Sequence, residues 1–283
     1  MRTVLCLLAL LVPALSHAAE KQLLWGDTHL HTSYSFDAYT NNNFTADPHV
    51  AYRYARGEPV VHPYNRTRVQ IETPLDFLVV SDHAECLGVI RHIHQQGVDT
   101  SELGLWDSMK AHFAAWYLGR RLDQRDAAQL FRDVLPPPKP VREAAADTTV
   151  GGNTNLLPPM MPVQVDTWRS QTELADEYYQ PGNFSTFIGW EWSSTPGGAN
   201  LHRVVFTDGD AEVGQSFHPY RFIDSQYPED LWAWLDETSA VTGANFLSIP
   251  HNSNLSKGFM FDETRLRGSE FDRAYIDPVS YTH

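Results

Sequence analysis

The chain has 283 residues, is 42% hydrophobic and carries a formal charge of −14 at pH 7. That length suits one domain of roughly 200–250 residues and a short leader, with apolar content ordinary for a sizeable core. The acidic balance excludes nucleic acid as a partner, because phosphate backbones reward basic patches; small anionic substrates stay open, since bound divalent cations invert the local field.

Residues 1–19 read as a signal peptide: Arg2 supplies the positive region, Val4 to Leu15 the apolar region, and Ser16-His17-Ala18-Ala19 the small residues at the cleavage positions. A periplasmic or secreted location follows. No membrane association is expected after cleavage, because no later stretch is apolar enough to span a bilayer. Cys6 leaves with the leader, so Cys86 can form no internal disulfide; it reads as a small core residue.

Leu23–Trp25 predicts a short strand ahead of the first histidines. Asp47-Pro48 predicts a capped helix start with proline in the first turn, running to about Arg56 and stopping at Gly57. Phe77–Val80 is an apolar strand ending at Ser81-Asp82-His83. Residues 103–135 carry helical periodicity through Leu105, Met109, Phe113, Trp116, Leu118 and Leu122, ended by Pro136-Pro137-Pro138. Residues 136–160, rich in Pro, Thr, Asn and Gly, predict a long surface loop. A helix over about Asp166–Tyr179, a strand over Phe184–Trp190 ending at Glu191, a strand over Leu201–Phe206, a helix over Pro228–Ser239 and a strand over Phe246–Ile249 ending at Pro250-His251 complete the pattern. Trp106, Trp116, Trp232 and Trp234 fall on helical patterns and read as core or lid packing. Strands alternating with helices predict an α/β fold with a mainly parallel sheet.

The chemistry-bearing residues gather at strand ends, where barrel enzymes keep their active sites. In Asp27-Thr28-His29-Leu30-His31 the two histidines at i and i+2 face one side of an extended chain and can offer two imidazoles to one metal. Asp37 follows in a Ser-Tyr-Ser-Phe-Asp loop, and Asp82-His83 ends an apolar strand, where an unpaired charge is costly. Glu191 lies between two tryptophans and can bridge two metal ions; His202 and His251 sit at two further strand ends. Five histidines and three acids so placed are a candidate metal site. His49, His62, His92, His94, His112 and His218 match no ligand position.

The strings WGDTHLHTSYSFDA, FLVVSDHAE, IGWEWSS and IPHNSN, spanning about residues 22–262, resemble the PHP (polymerase and histidinol phosphatase) superfamily, and most closely an exported branch of unknown function. The resemblance implies a distorted (β/α)7 barrel holding two to three divalent ions, zinc, manganese or iron. His29 and His31 would bind the first metal with Glu191 bridging to a second, His202 and His251 would complete the second, and Asp37 and His83 would belong to a third. Asp27 and Asp82 would orient imidazoles from behind. That family closes with a further Asp-x-His, and none follows His251; the resemblance therefore implies a domain over 20–283 truncated at its C-terminal end, with an incomplete barrel. Arg53 and Arg56 can clamp an anionic substrate. The function expected is metal-dependent phosphoester hydrolysis on a small anionic molecule. Hydrolysis of other esters, amides or sulfate esters, and a non-catalytic metal- or ligand-binding module, are the alternatives.

Overall fold

The computed structural model describes residues 21–129, 139–147 and 160–273. Residues 1–20, on which the expected signal peptide falls, most of the stretch 136–160 and the tail beyond Arg273 lie outside the described residues.

The frame is one curled sheet of five strands: β1 (Gly26–Leu30), β4 (Phe77–Val80), β5 (Ser185–Trp192), β6 (Arg203–Thr207) and β7 (Phe246–Pro250), hydrogen-bonded in that order. A separate two-stranded ribbon pairs β2 (Val60–Val61) with β3 (Arg68–Val69). β1, β4 and β5 run parallel, whereas β6 is antiparallel to both β5 and β7. The expected (β/α)7 barrel is therefore corrected to a mixed α/β fold with a half-barrel sheet, whose outer strands β1 and β7 do not pair with each other. The reversal at β6 has a local cause. Only residues 193–202 join it to β5, with a tight 3₁₀ turn at Pro196–Gly198, too short a path for the helical crossover that parallel strands need.

Period-two alternation gives the sheet its faces. Leu78 and Val80 of β4, with Ile188, Trp190 and Trp192 of β5, join the main core. Over them pack α2 (Pro48–Ala55), α6 (Met161–Tyr178) and α8 (Pro228–Thr242) through Tyr52, Trp168, Tyr178 and Leu231. Asp47 caps α2 through the Val50 amide, as the sequence suggested. The two β5 indoles are fully buried and donate to the carbonyls of Tyr220 and Ser225 at 3.2 Å each. On the opposite, concave face Val79, Val204 and Phe206 form a small cluster with Phe187. Gly189 lies among them, where a Cβ would meet Val79 Cγ1 at 2.5 Å and Phe206 Cβ at 2.9 Å. Farther along β7 the same face leaves Leu247 and Ile249 exposed.

Several local readings change. The first strand begins at Gly26; Leu23, Leu24 and Trp25 are exposed. β5 continues through Trp192, so Glu191 lies inside the strand. Residues Val141–Ala146, expected as loop, form a helix, α5, whose Val141 and Ala145 bury against Ala199 and Leu201. Helix α6 starts at Met161, ahead of the expected Asp166. Between β4 and α5 come α3 (Val89–Gln96) and α4 (Leu105–Asp123); α1 (Phe36–Thr40) follows β1, and α7 (Ala211–Gln215) follows β6. Trp232 is buried and Trp234 packs on the core, but Trp106 and Trp116 of α4 are exposed. Cys86 is exposed as well, at a φ of 55°. No helix of the described residues is long and apolar enough to cross a membrane.

Candidate metal centre

Strand direction decides which ends share an edge. β1, β4, β5 and β7 present their C-terminal ends on the edge where the antiparallel β6 presents its N-terminal end. Residues in or just after the last turns of four strands, and the residue just before the fifth, therefore converge. A register irregularity in β1 sets the parity. Asp27 pairs with Leu78 and Leu30 with Val80, so one extra residue lies between. Such a bulge re-aims side chains. Without it His29 would fall beside Val80, against the helices; with it Leu30 takes that place and His29 turns to the concave face. Glu191 reaches the same face because Trp190 and Trp192 are fixed on the other.

At the centre lies the Glu191 carboxylate, 1% exposed. Its Oε2 is 2.8 Å from His31 Nε2, 2.9 Å from His29 Nε2 and 3.2 Å from His251 Nε2. Its Oε1 is 2.5 Å from His202 Nδ1 and 3.5 Å from His83 Nδ1. Asp37 stands on the far side, with Oδ1 3.4 Å from His31 Nδ1 and Oδ2 3.5 Å from His83 Nε2. Three donor groups result, each with ligand atoms within 4.8 Å of one another: His29, Glu191 and His251; His31, Asp37 and His83; and His83, Glu191 and His202. All seven residues expected to ligate metal are brought together here.

The donor set fits divalent ions. The Nε2 atoms of His29 and His31 are 3.0 Å apart and crowd one carboxylate oxygen. Two ligands at about 2.0–2.2 Å around a tetrahedral ion stand about 3.3 Å apart, and within the group His29, Glu191 and His251 the Glu191 Oε2 lies 2.9 Å from His29 Nε2 and 3.2 Å from His251 Nε2, close to that spacing. Both ring nitrogens of His251 are buried without a hydrogen bond, although Nε2 lies at ion-pair distance from Glu191. The electrostatics point the same way. Burial would depress His31, but its hydrogen bonds to Asp37 and Glu191 and their negative charges raise its pKa to about 10. Burial would raise the two carboxyls, yet Glu191 is held far below the usual range by His202, His251, His29 and His31. Asp37 is held far below it by His31 and His83. The site thus draws positive charge to the point where the imidazoles meet.

A ring of hydroxyls and amides orients these groups. Ser35 Oγ donates to Asp37 at 2.7 Å and lies 2.9 Å from His31 Nδ1; Ser193 Oγ contacts His83 Nδ1, and Thr195 Oγ1 lies 2.7 Å from His202 Nε2. Asp82, fully buried, accepts from the amide and hydroxyl of Thr32 at 2.5 and 2.6 Å, fixing the chain just after His31. Burial lifts its pKa to about 6. Asp27 accepts from the His29 amide at 2.8 Å. Sequence reasoning missed Thr32, Ser35, Ser193 and Thr195; their signal was a hydroxyl one to seven positions from a ligand in the same turn, a spacing too common to single out. Arg53 and Arg56 engage Glu58 and the Tyr178 ring, not a residue of the cluster. His49, His94 and His112 bond to Tyr178, Tyr39 and Thr100 respectively.

A family model described as a protein of unknown function, DUF3604, matches residues 18–281. No curated protein and no solved structure matches the chain. The match to DUF3604 comes without any match to the PHP superfamily, so the membership expected from the motif strings is corrected accordingly. With nearly its whole length covered, the chain belongs to the DUF3604 family of proteins of unknown function.

Proposed function

We propose that the protein is a metal-dependent hydrolase, with phosphoester hydrolysis the reaction its site supports best. One observation carries this reading: a buried carboxylate, Glu191, is common to two adjacent donor groups, and His83 links one of these to a third. Shared ligands between neighbouring sites are the arrangement used by hydrolases that act with ions roughly 3.5–4 Å apart, phosphatases among them.

His29, Glu191 and His251 would hold one ion and Glu191 with His202 a second, while His83 would give its one lone pair either to that second ion or to a third held with His31 and Asp37. Divalent ions bound there supply Lewis-acid polarisation of a substrate oxygen and bring the pKa of water towards about 7. The chain's own residues do the remaining work. Glu191 and Asp37, both ionised, would balance the charge of the ions, and the imidazoles would give up their protons as the ions bind. Ser35, Ser193 and Thr195 fix the ring orientations. Trp190 and Trp192 close the strand's other face to water, so the carboxylate works in a medium of low dielectric. His29, the most exposed of the ligands that meet Glu191, marks the side from which an anionic group enters.

The test is hydrolysis by protein loaded with zinc, manganese or iron, across phosphate monoesters and diesters beside carboxylic esters, amides and sulfate esters. Phosphoester turnover that His251→Ala abolishes is the expected result. Turnover confined to another bond would reassign the substrate class. A folded, metal-loaded protein inert across the panel would overturn the hydrolase reading.

A further inference from the structure

Six of the seven ligand residues lie in a strand of the five-stranded sheet or just beyond its end, so the sheet places them; Asp37 alone lies in a helix, α1. No residue of α1 joins the sheet's main core. The helix rests on a second core, in which Tyr39 packs with Val89, Ile90 and Ile93 of α3 and with Leu118 and Leu122 of α4. Tyr39 is 1% exposed, and a buried phenol needs a partner for its hydroxyl. The partner is His94 of α3, whose Nδ1 lies 3.0 Å from Tyr39 Oη. The other ring nitrogen, Nε2, lies 3.1 Å from Oδ1 of Asp123, the last residue of α4. That carboxylate selects the tautomer: Nε2–H donates to Asp123, and the Nδ1 lone pair accepts the Tyr39 O–H. The imidazole is held in turn by aromatic rings, its centroid 5.8 Å from that of Tyr39 and 5.5 Å from that of Phe44. One histidine thus ties α1, α3 and α4 to one another.

We infer that Tyr39 and His94 are positioning residues for Asp37, through which the helices set the affinity of the donor group His31, Asp37 and His83 separately from that of the sheet-borne group His29, Glu191 and His251. The inference rests on the metal-centre reading proposed above. Tyr39 is two positions from Asp37 in a helix of five residues. A helix so short has no stability of its own, so whatever fixes Tyr39 fixes the carboxylate. Asp37 has to serve two imidazoles at once, with Oδ1 3.4 Å from His31 Nδ1 and Oδ2 3.5 Å from His83 Nε2. Metal–ligand distances tolerate only about 0.2 Å of error, so a small shift of α1 spoils this group first. No residue of the group His29, Glu191 and His251 lies on a helix.

Calorimetric titration of chelator-treated protein with manganese tests this, and Asp37→Asn identifies the ion that belongs to the Asp37 group. Tyr39→Phe keeps the ring in the core and removes only the hydroxyl. It should weaken that same ion about 10-fold, the lower end of what an outer partner of a ligand contributes, and leave the tightest-bound ion as in the parent. His94→Leu should act in the same way. His94→Asn, whose amide stands near the place of Nδ1 and can still accept from Tyr39, should return the affinity to the parent value. Unchanged binding in Tyr39→Phe and His94→Leu, an equal loss at every ion, or a loss at an ion that Asp37→Asn leaves alone would overturn the inference. A parent that binds no manganese would instead overturn the metal-centre reading on which it rests.

Discussion

Replacing Glu191 by glutamine keeps the shape of the side chain and removes its charge. Glu191 Oε2 faces three imidazoles at 2.8–3.2 Å and Oε1 a fourth at 2.5 Å. An outer partner of a metal ligand is worth about 10–100-fold in affinity; a carboxylate shared by two donor groups should reach at least the upper end. A 100-fold loss is about 2.7 kcal/mol, and with metal in excess the metal-dependent stabilisation falls by the same amount. For a domain of this size, at about 2–4 °C per kcal/mol, that is roughly 5–10 °C in Tm. The assay is the rise in Tm on adding zinc or manganese to chelator-treated protein, for parent and Glu191→Gln, beside a metal titration of each. Subtracting each protein's own metal-free Tm removes the cost of stripping the histidines of their counter-charge. Equal affinities and equal rises in the two proteins would refute the reasoning.

Chelation of the parent should lower its Tm and leave the secondary structure in place, because the sheet's main core does not include the cluster; a far-ultraviolet spectrum that collapses on chelation would contradict this. Asp82→Ala leaves the Thr32 amide and hydroxyl without a partner in a fully buried site, at a cost of about 2–4 kcal/mol in denaturant unfolding; a loss under 1 kcal/mol would show that the segment relaxes. Gly189→Ala forces a Cβ against Val79, Phe206 and the Val205 carbonyl and should cost about 1–3 kcal/mol, whereas an unchanged midpoint would mean that β5 and β6 yield. Trp190→Ala should cost about 3–5 kcal/mol, read from the same unfolding curves.

His83, Glu191 and His251 were legible because each is a polar group at the end of a mostly apolar run, where burial without a purpose is expensive. Glu191 between Trp190 and Trp192 is the clearest instance. Their convergence was less legible, since it depends on direction and parity. Nothing in Leu201–Phe206 reveals that β6 runs against its neighbours, yet that reversal is what brings His202 to the edge shared with His251. Nothing in Asp27–Leu30 reveals the irregularity that turns His29 inward. Apolar content was also over-read as burial: Leu23–Trp25 and the outer face of α4 are exposed. The proline-rich character of 136–160 hid the helix Val141–Ala146, whose alanines are good helix formers. The barrel expectation failed for a related reason, because strand and helix alternation fixes the order of elements but not whether a sheet closes.

A metal centre around Glu191 should retain its ions through purification. Elemental analysis of the purified protein, reconstituted with zinc, manganese or iron and then desalted, tests this most directly. Two or more equivalents retained per chain, falling sharply in His29→Ala and Glu191→Gln, is the predicted result. A folded protein that retains no metal would contradict it.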